Sequence, residues 1–168
     1  LPMRVSTMNR IMMLTLLQIV LSASFNAVAE DWPQWRGPNQ DGVSLEDNWS
    51  HDWGPDGPKR LWEFDVGSGN GTVAVVGNRL YTIGATGEAE ETDTVYCLDA
   101  NTGDVVWKHA YAREERLERT ATRRAGTNTT TTVHQGKVYT YSGDAQLCCF
   151  EADTGEVLWR RELMMELG

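Results

Sequence analysis

Cys97-Leu98-Asp99-Ala100-Asn101-Thr102-Gly103-Asp104-Val105-Val106-Trp107 returns later in the chain as Cys149-Phe150-Glu151-Ala152-Asp153-Thr154-Gly155-Glu156-Val157-Leu158-Trp159. The residues upstream return too: Gly77-Asn78-Arg79-Leu80-Tyr81-Thr82 matches Gln135-Gly136-Lys137-Val138-Tyr139-Thr140. The tryptophan-ending segments stand 52 residues apart and the Tyr-Thr pairs 58 apart. The six-residue difference is an insertion in the first copy, within Gly87 to Thr94. A duplication of this length, written in strand-forming residues, predicts a repeated β architecture.

Each copy reads as four short strands rich in Val, Tyr, Thr and Leu, which suit a pleated, half-buried surface. The first copy places them at Thr72–Val76, Arg79–Ile83, Thr94–Asp99 and Asp104–Ala110. The second places them at Thr129–His134, Lys137–Ser142, Gln146–Glu151 and Glu156–Glu162. No intervening segment is long and apolar enough for a crossover helix, so successive strands should pair antiparallel. Four antiparallel strands per repeat is the blade of a β-propeller. The expected fold is all-β: two blades of a partial propeller plus one N-terminal closing strand.

The turn between the last two strands has a mechanical reading. Asp99 can accept backbone N–H bonds from the residues after it, Thr102 can add a hydroxyl bond, and Gly103 supplies a positive φ. Trp107 then covers a neighbouring blade. The second copy keeps Thr154, Gly155 and Trp159 but carries Glu151, whose longer side chain predicts a looser turn. Pro58-Lys59-Arg60-Leu61-Trp62-Glu63-Phe64-Asp65 reads as a lone outer strand, with Trp62 as its docking residue. Residues 59–66 are therefore expected to close the wheel by completing a last blade in a C-terminal part. The remaining divisions follow: a Trp/Pro-rich leader at 30–58, a first blade at 67–111, an interblade loop at 112–127, a second blade at 128–163 and the start of a further connection at 164–168.

These residues resemble the PQQ-type repeat, or tryptophan-docking motif, Ala-x-Asp-x-x-x-Gly-x-x-x-Trp. Cys97 and Cys149 take the place of its alanine. Asp99, Gly103 and Trp107 match in the first copy, and Gly155 and Trp159 in the second, where Glu151 departs. The opening Asp31-Trp32-Pro33-Gln34-Trp35-Arg36-Gly37-Pro38 also resembles the start of secreted bacterial propellers of this group. The resemblance covers roughly Asp31 to Glu162. It implies a propeller that is either a ligand-binding or protein-interaction scaffold or a PQQ-dependent alcohol or sugar dehydrogenase. In the second case PQQ and calcium would sit on the propeller axis with an aspartate as base. No Glu, Asn and Asp set in this sequence can be assigned to those roles, so no catalytic, cofactor-binding or metal residue is named.

Propellers carry roughly four to eight blades, so two blades and a strand predict a piece of a protein of roughly 350–450 residues. The missing C-terminal blades are then the first partners of this segment. A small molecule or protein at the propeller face would be a further one. Arg10, the apolar run Ile11–Leu21 and Ala27-Val28-Ala29 read in order as a signal peptide cleaved after Ala29. The apolar run is too short to span a bilayer, and no cysteine follows it to carry a lipid. Periplasmic or secreted placement with no membrane anchor is the expectation.

The formal charge is −9, and cleavage would remove Arg4 and Arg10 with no acid, leaving −11. That balance disfavours nucleic acid. Arg113, Arg116, Arg119, Arg123 and Arg124 alternate with Glu114, Glu115 and Glu118 and read as a solvated interblade loop. Cys148 and Cys149 fall inside a strand, where neighbours face opposite ways, so two buried thiols are expected in preference to a disulfide. Gly67-Ser68-Gly69-Asn70-Gly71 precedes a strand, not a helix, and so reads as a crossing and not a phosphate loop. His51, His109 and His134 have no ligand spacing. Trp32, Trp35, Trp49 and Trp53 predict a leader that packs across the propeller.

Overall fold

The computed structural model describes residues 29–47, 49–87, 92–112, 127–143 and 145–167. The signal-peptide reading of residues 1–28 and the arginine-rich reading of residues 113–126 lie outside them.

Two four-stranded antiparallel sheets form in chain order. The first holds β1 (Ala74–Val76), β2 (Arg79–Thr86), β3 (Thr92–Asp99) and β4 (Val105–Ala112). The second holds β5 (Thr132–His134), β6 (Lys137–Tyr141), β7 (Gln146–Glu151) and β8 (Val157–Glu162). The registers repeat: Tyr81 pairs with Cys97 and Cys97 with Trp107, as Tyr139 pairs with Cys149 and Cys149 with Trp159. Each sheet also has a register shift after that cysteine, between Cys97 and Leu98 and between Cys149 and Phe150. The two sheets are successive blades of a partial β-propeller.

The insertion in the first copy is partly structured. It lengthens the β2–β3 hairpin through the pairs Ala85–Asp93 and Thr86–Thr92. β1 is too short to flank this extension, and Gly67–Gly71 takes its place. Ser68 exchanges backbone bonds with Ala85 at 2.9 and 2.8 Å. The glycines are required by closeness: a Cβ on Gly67 would strike Ala85 O, and one on Gly71 would strike Thr129 O. The segment thus runs along the end of β2 and against the second blade.

One apolar cluster joins the blades. It includes Tyr81, Val95, Cys97 and Trp107 from the first and Val138, Cys148, Phe150 and Ala152 from the second. Trp107 stacks on Phe150 with ring centroids 6.0 Å apart, and His109 lies 5.2 Å from the same ring. Burial, with Arg160 nearby, holds the His109 pKa below its ordinary value. Cys97, Cys148 and Cys149 are buried and none is in a disulfide, as the strand geometry required.

After β8, where a further connection is expected to begin, Leu163–Leu167 wind into α1, a run of good helix formers beside an Arg161–Glu166 ion pair at 2.5 Å. The leader packs only at its start. Trp32 is half-buried, but Trp35, Trp49 and Trp53 are exposed. Trp35 has the Arg36 guanidinium over its ring at 5.5 Å and Trp49 meets His51 edge-on at 6.3 Å, so these two rings find neighbours within the leader.

Candidate functional site

Asp99 builds the first turn as its chemistry dictates. Its Oδ1 accepts the N–H groups of Asn101 at 2.9 Å and Thr102 at 3.1 Å. Its Oδ2 accepts from Asn78 Nδ2 at 2.7 Å and lies 3.5 Å from Arg79. The backbone bond to Asn101 leads these contacts in holding the Asp99 carboxyl below the usual carboxylate range. Thr102 Oγ1 accepts the Asp104 N–H at 3.2 Å. Gly103 turns the chain with φ 76° and donates its N–H to Asp99 O at 2.9 Å.

The Glu151 turn keeps the same backbone frame. Gly155 N–H donates to Glu151 O at 2.9 Å, and Glu151 N–H to Glu156 O at 2.9 Å. Thr154 Oγ1 accepts the Glu156 N–H at 3.3 Å. The turn is therefore not looser in its backbone. Among the described residues, the carboxylate bonds that Asp99 makes inside its turn have no counterpart at Glu151, whose longer side chain brings Oε1 near Gly136.

These turns are sockets. The Trp62 indole lies on Gly103, where a Cβ would stand 2.7 Å from the ring, and Trp62 Nε1 donates to Ala100 O at 3.0 Å. Trp107 lies on Gly155 in the same way, with 2.6 Å to such a Cβ, and its Nε1 donates to Ala152 O at 2.7 Å. Tyr81 OH reaches that same carbonyl at 3.4 Å. Burial and the neighbouring Cys97 raise the Tyr81 hydroxyl pKa, and burial pushes the Cys97 thiol up to about 11. Asp99, Thr102, Gly103 and Trp62 thus meet in one joint, and Trp107, Glu151, Thr154 and Gly155 in the next. Trp159 repeats the pose of Trp107 beside Tyr139, with centroids 6.1 Å apart, but is 40% exposed against 8%.

The sequence reading missed the carbonyl acceptors. Their signal was the small residue after each acid, Ala100 and Ala152, which leaves the peptide open to an indole. It also missed the inner edge. Asn70 Nδ2 donates to Asn128 Oδ1 at 2.8 Å, and Thr72 Oγ1 lies 3.0 Å from Thr130 Oγ1. Both pairs are 58 positions apart, the repeat offset itself. Gly69 and Thr127 form a parallel bridge beside them. Like residues of successive blades therefore meet where the first strands converge, which is the axial side of a propeller.

Residues 59–66 run extended with alternating burial at Trp62, Phe64 and Val66. They are in no ladder among the described residues. Phe64 packs edge-on against Tyr96 at 5.3 Å. Among the described residues, no three His, Cys, Asp or Glu side chains converge on a cation position. No described helix is long and apolar enough to cross a membrane.

No curated protein matches the chain. Solved structures do. Quinohemoprotein alcohol dehydrogenase from Comamonas testosteroni is 18% identical over 86% of this chain and 21% of its own, with a TM-score of 0.57. A europium-containing methanol dehydrogenase is 21% identical over 61% and 18%, with a TM-score of 0.45. BamB from Moraxella catarrhalis is 22% identical over 54% and 22%, with a TM-score of 0.37. The chain spans about a fifth of the length of these structures, and the alcohol dehydrogenase match shows the shared fold. A family model described as outer membrane protein assembly factor BamB matches residues 47–119 and 91–167. With two Trp-docked blades in the structure and that model spanning most of the sequence, the chain belongs to the PQQ-like repeat β-propeller family.

Proposed function

We propose that this chain is part of an exported β-propeller that serves as a ligand-binding or protein-interaction scaffold. The observation that carries the reading is how its polar repeat positions are used. Asn70, Thr72, Asn128 and Thr130 bond to one another across the blade boundary. Asp99 is engaged within its own turn. These groups fasten blades together and do not converge on a reacting centre. Two features support closure with further blades of the same protein. Trp62 docks on the first blade just as Trp107 docks on the second, which is the behaviour of an outer strand from a preceding blade. Trp159 stands ready for a following one. The signal-peptide reading of the N-terminus and the BamB description of the family support a periplasmic or secreted location.

Full-length protein mixed with PQQ and calcium tests the reading. No quinone absorbance should develop on the protein, and no dye-linked alcohol oxidation should follow. Appearance of both would replace the scaffold with a quinoprotein dehydrogenase.

A further inference from the structure

The leader does more than precede the blades. Trp32 and Val75 exchange both backbone bonds, at 2.7 and 2.9 Å, along the free edge of β1. The next carbonyl of the leader, Pro33 O, accepts the N–H of Val133 in β5 at 2.8 Å. Val75 and Val133 are repeat equivalents, 58 positions apart. Consecutive leader carbonyls thus satisfy equivalent inner-edge N–H groups of consecutive blades. Asp31 Oδ1 adds a bond from Gly77 N–H at 2.7 Å. Inner-edge donors need such partners, since a backbone N–H without one is costly away from water.

The segment doing this is a preformed hook, not a loose strand. Gly37 N–H closes on Gln34 O at 3.0 Å, and Gly42 N–H on Arg36 O at 2.9 Å. The Trp32 ring folds back over Gly37, where a Cβ would stand 2.8 Å from it. Gly37 is buried beneath that ring although Arg36 and Pro38 are exposed. The hook is thus seated on the axial edges of both blades, beside β1 and β5. The other end of the inner strands carries Asn70, Thr72, Asn128 and Thr130, all amides and hydroxyls.

We propose that Asp31–Gly37 is an axial stopper that closes the propeller at the end where β1 and β5 finish, so that solutes approach the axis from the Asn70–Thr130 end. This rests on the propeller reading above and assigns its open face. The PQQ titration bears on the ligand alone, so either idea can fail without the other.

Amide exchange in the full-length protein is the first test. The Val75 and Val133 N–H groups should exchange at least about tenfold slower than exposed loop amides. Loop-like exchange at either would overturn the stopper. Gly37→Ala, which forces the Trp32 ring aside, should speed both amides together while Val138 in the middle of the second blade stays protected. If Val138 also loses protection, Asp31→Ala is read in its place, since it removes only the Gly77 contact. Acceleration at one valine alone, or at neither, would refute a single stopper. Thiol labelling then locates the mouth, because the native cysteines are buried. Thr72→Cys should react with maleimide about tenfold faster than Val75→Cys. Equal rates would mean that both ends are open.

Discussion

Gly155 and Gly77 both hold positive φ, at 73° and 55°, but for different reasons. A Cβ on Gly155 would meet the Trp107 ring at 2.6 Å, whereas one on Gly77 meets nothing within 4 Å. Alanine at Gly77 should cost about 1 kcal/mol, the usual penalty of left-handed backbone. Alanine at Gly155 adds an overpacking term and should cost about 2–5 kcal/mol in all. Urea unfolding followed by tryptophan fluorescence compares them, and equal losses would mean that the indole is not seated on the glycine. Asp99 makes a prediction of a different kind. Its folded pKa is depressed, so its contribution is complete above the unfolded value and disappears as pH falls through the folded one. The stability gap between wild type and Asp99→Asn should therefore be steady at neutral pH and narrow below about pH 3.9. A gap that persists unchanged in acid would contradict the charge-based account. Asp99, Gly103 and Gly155 were legible in the sequence because a turn's demands are local. The carbonyls of Ala100 and Ala152 were not, because every residue has one and only the fold shows which is reached.

At the level of elements, β4 and β8 are the same strand in different circumstances. Trp107 on β4 is covered by the second blade, whereas Trp159 on β8 rests beside Tyr139 and, among the described residues, meets no turn glycine of a following blade. Removing a buried tryptophan costs about 3–5 kcal/mol. If a third blade covers β8 in the full-length protein, Trp159→Ala should cost as much there as Trp107→Ala. A loss below about 1 kcal/mol would be the penalty of a surface residue and would mean that no blade docks on β8. Guanidinium denaturation of the two variants decides it. The strands themselves were readable to within a few residues, since alternation and turn residues bracket each one. The extension of β2 and β3 was not, because its flank comes from Ser68, which bonds Ala85 from outside the repeat pattern. Leu163–Leu167 was missed for a simpler reason: five residues are too few for a helical period to declare itself.

Across the whole molecule, what could be read was what repeats. Two copies placed two blades side by side, and the shared offset of 58 reappears in the Asn70–Asn128 and Thr72–Thr130 contacts. The leader has no second copy, and its pairing with Val75 and Val133 joins segments far apart in sequence. No local pattern announces such a pairing. The six-residue insertion could be located by alignment of the copies, but its partial conversion into hairpin could not.

The three thiols have a consequence for how such a chain reaches its final state. They are hidden only once the sheets have formed, and burial then makes Cys97 and Cys149 poor thiolates. Before that moment, under the oxidising conditions that the proposed export implies, the chain offers three competing sulfurs, none of which is bridged in the folded blades. Collapse must outrun oxidation. Reductant present during refolding should therefore raise the yield of native protein, and reductant added after the sheets have closed over the sulfurs should leave it unchanged.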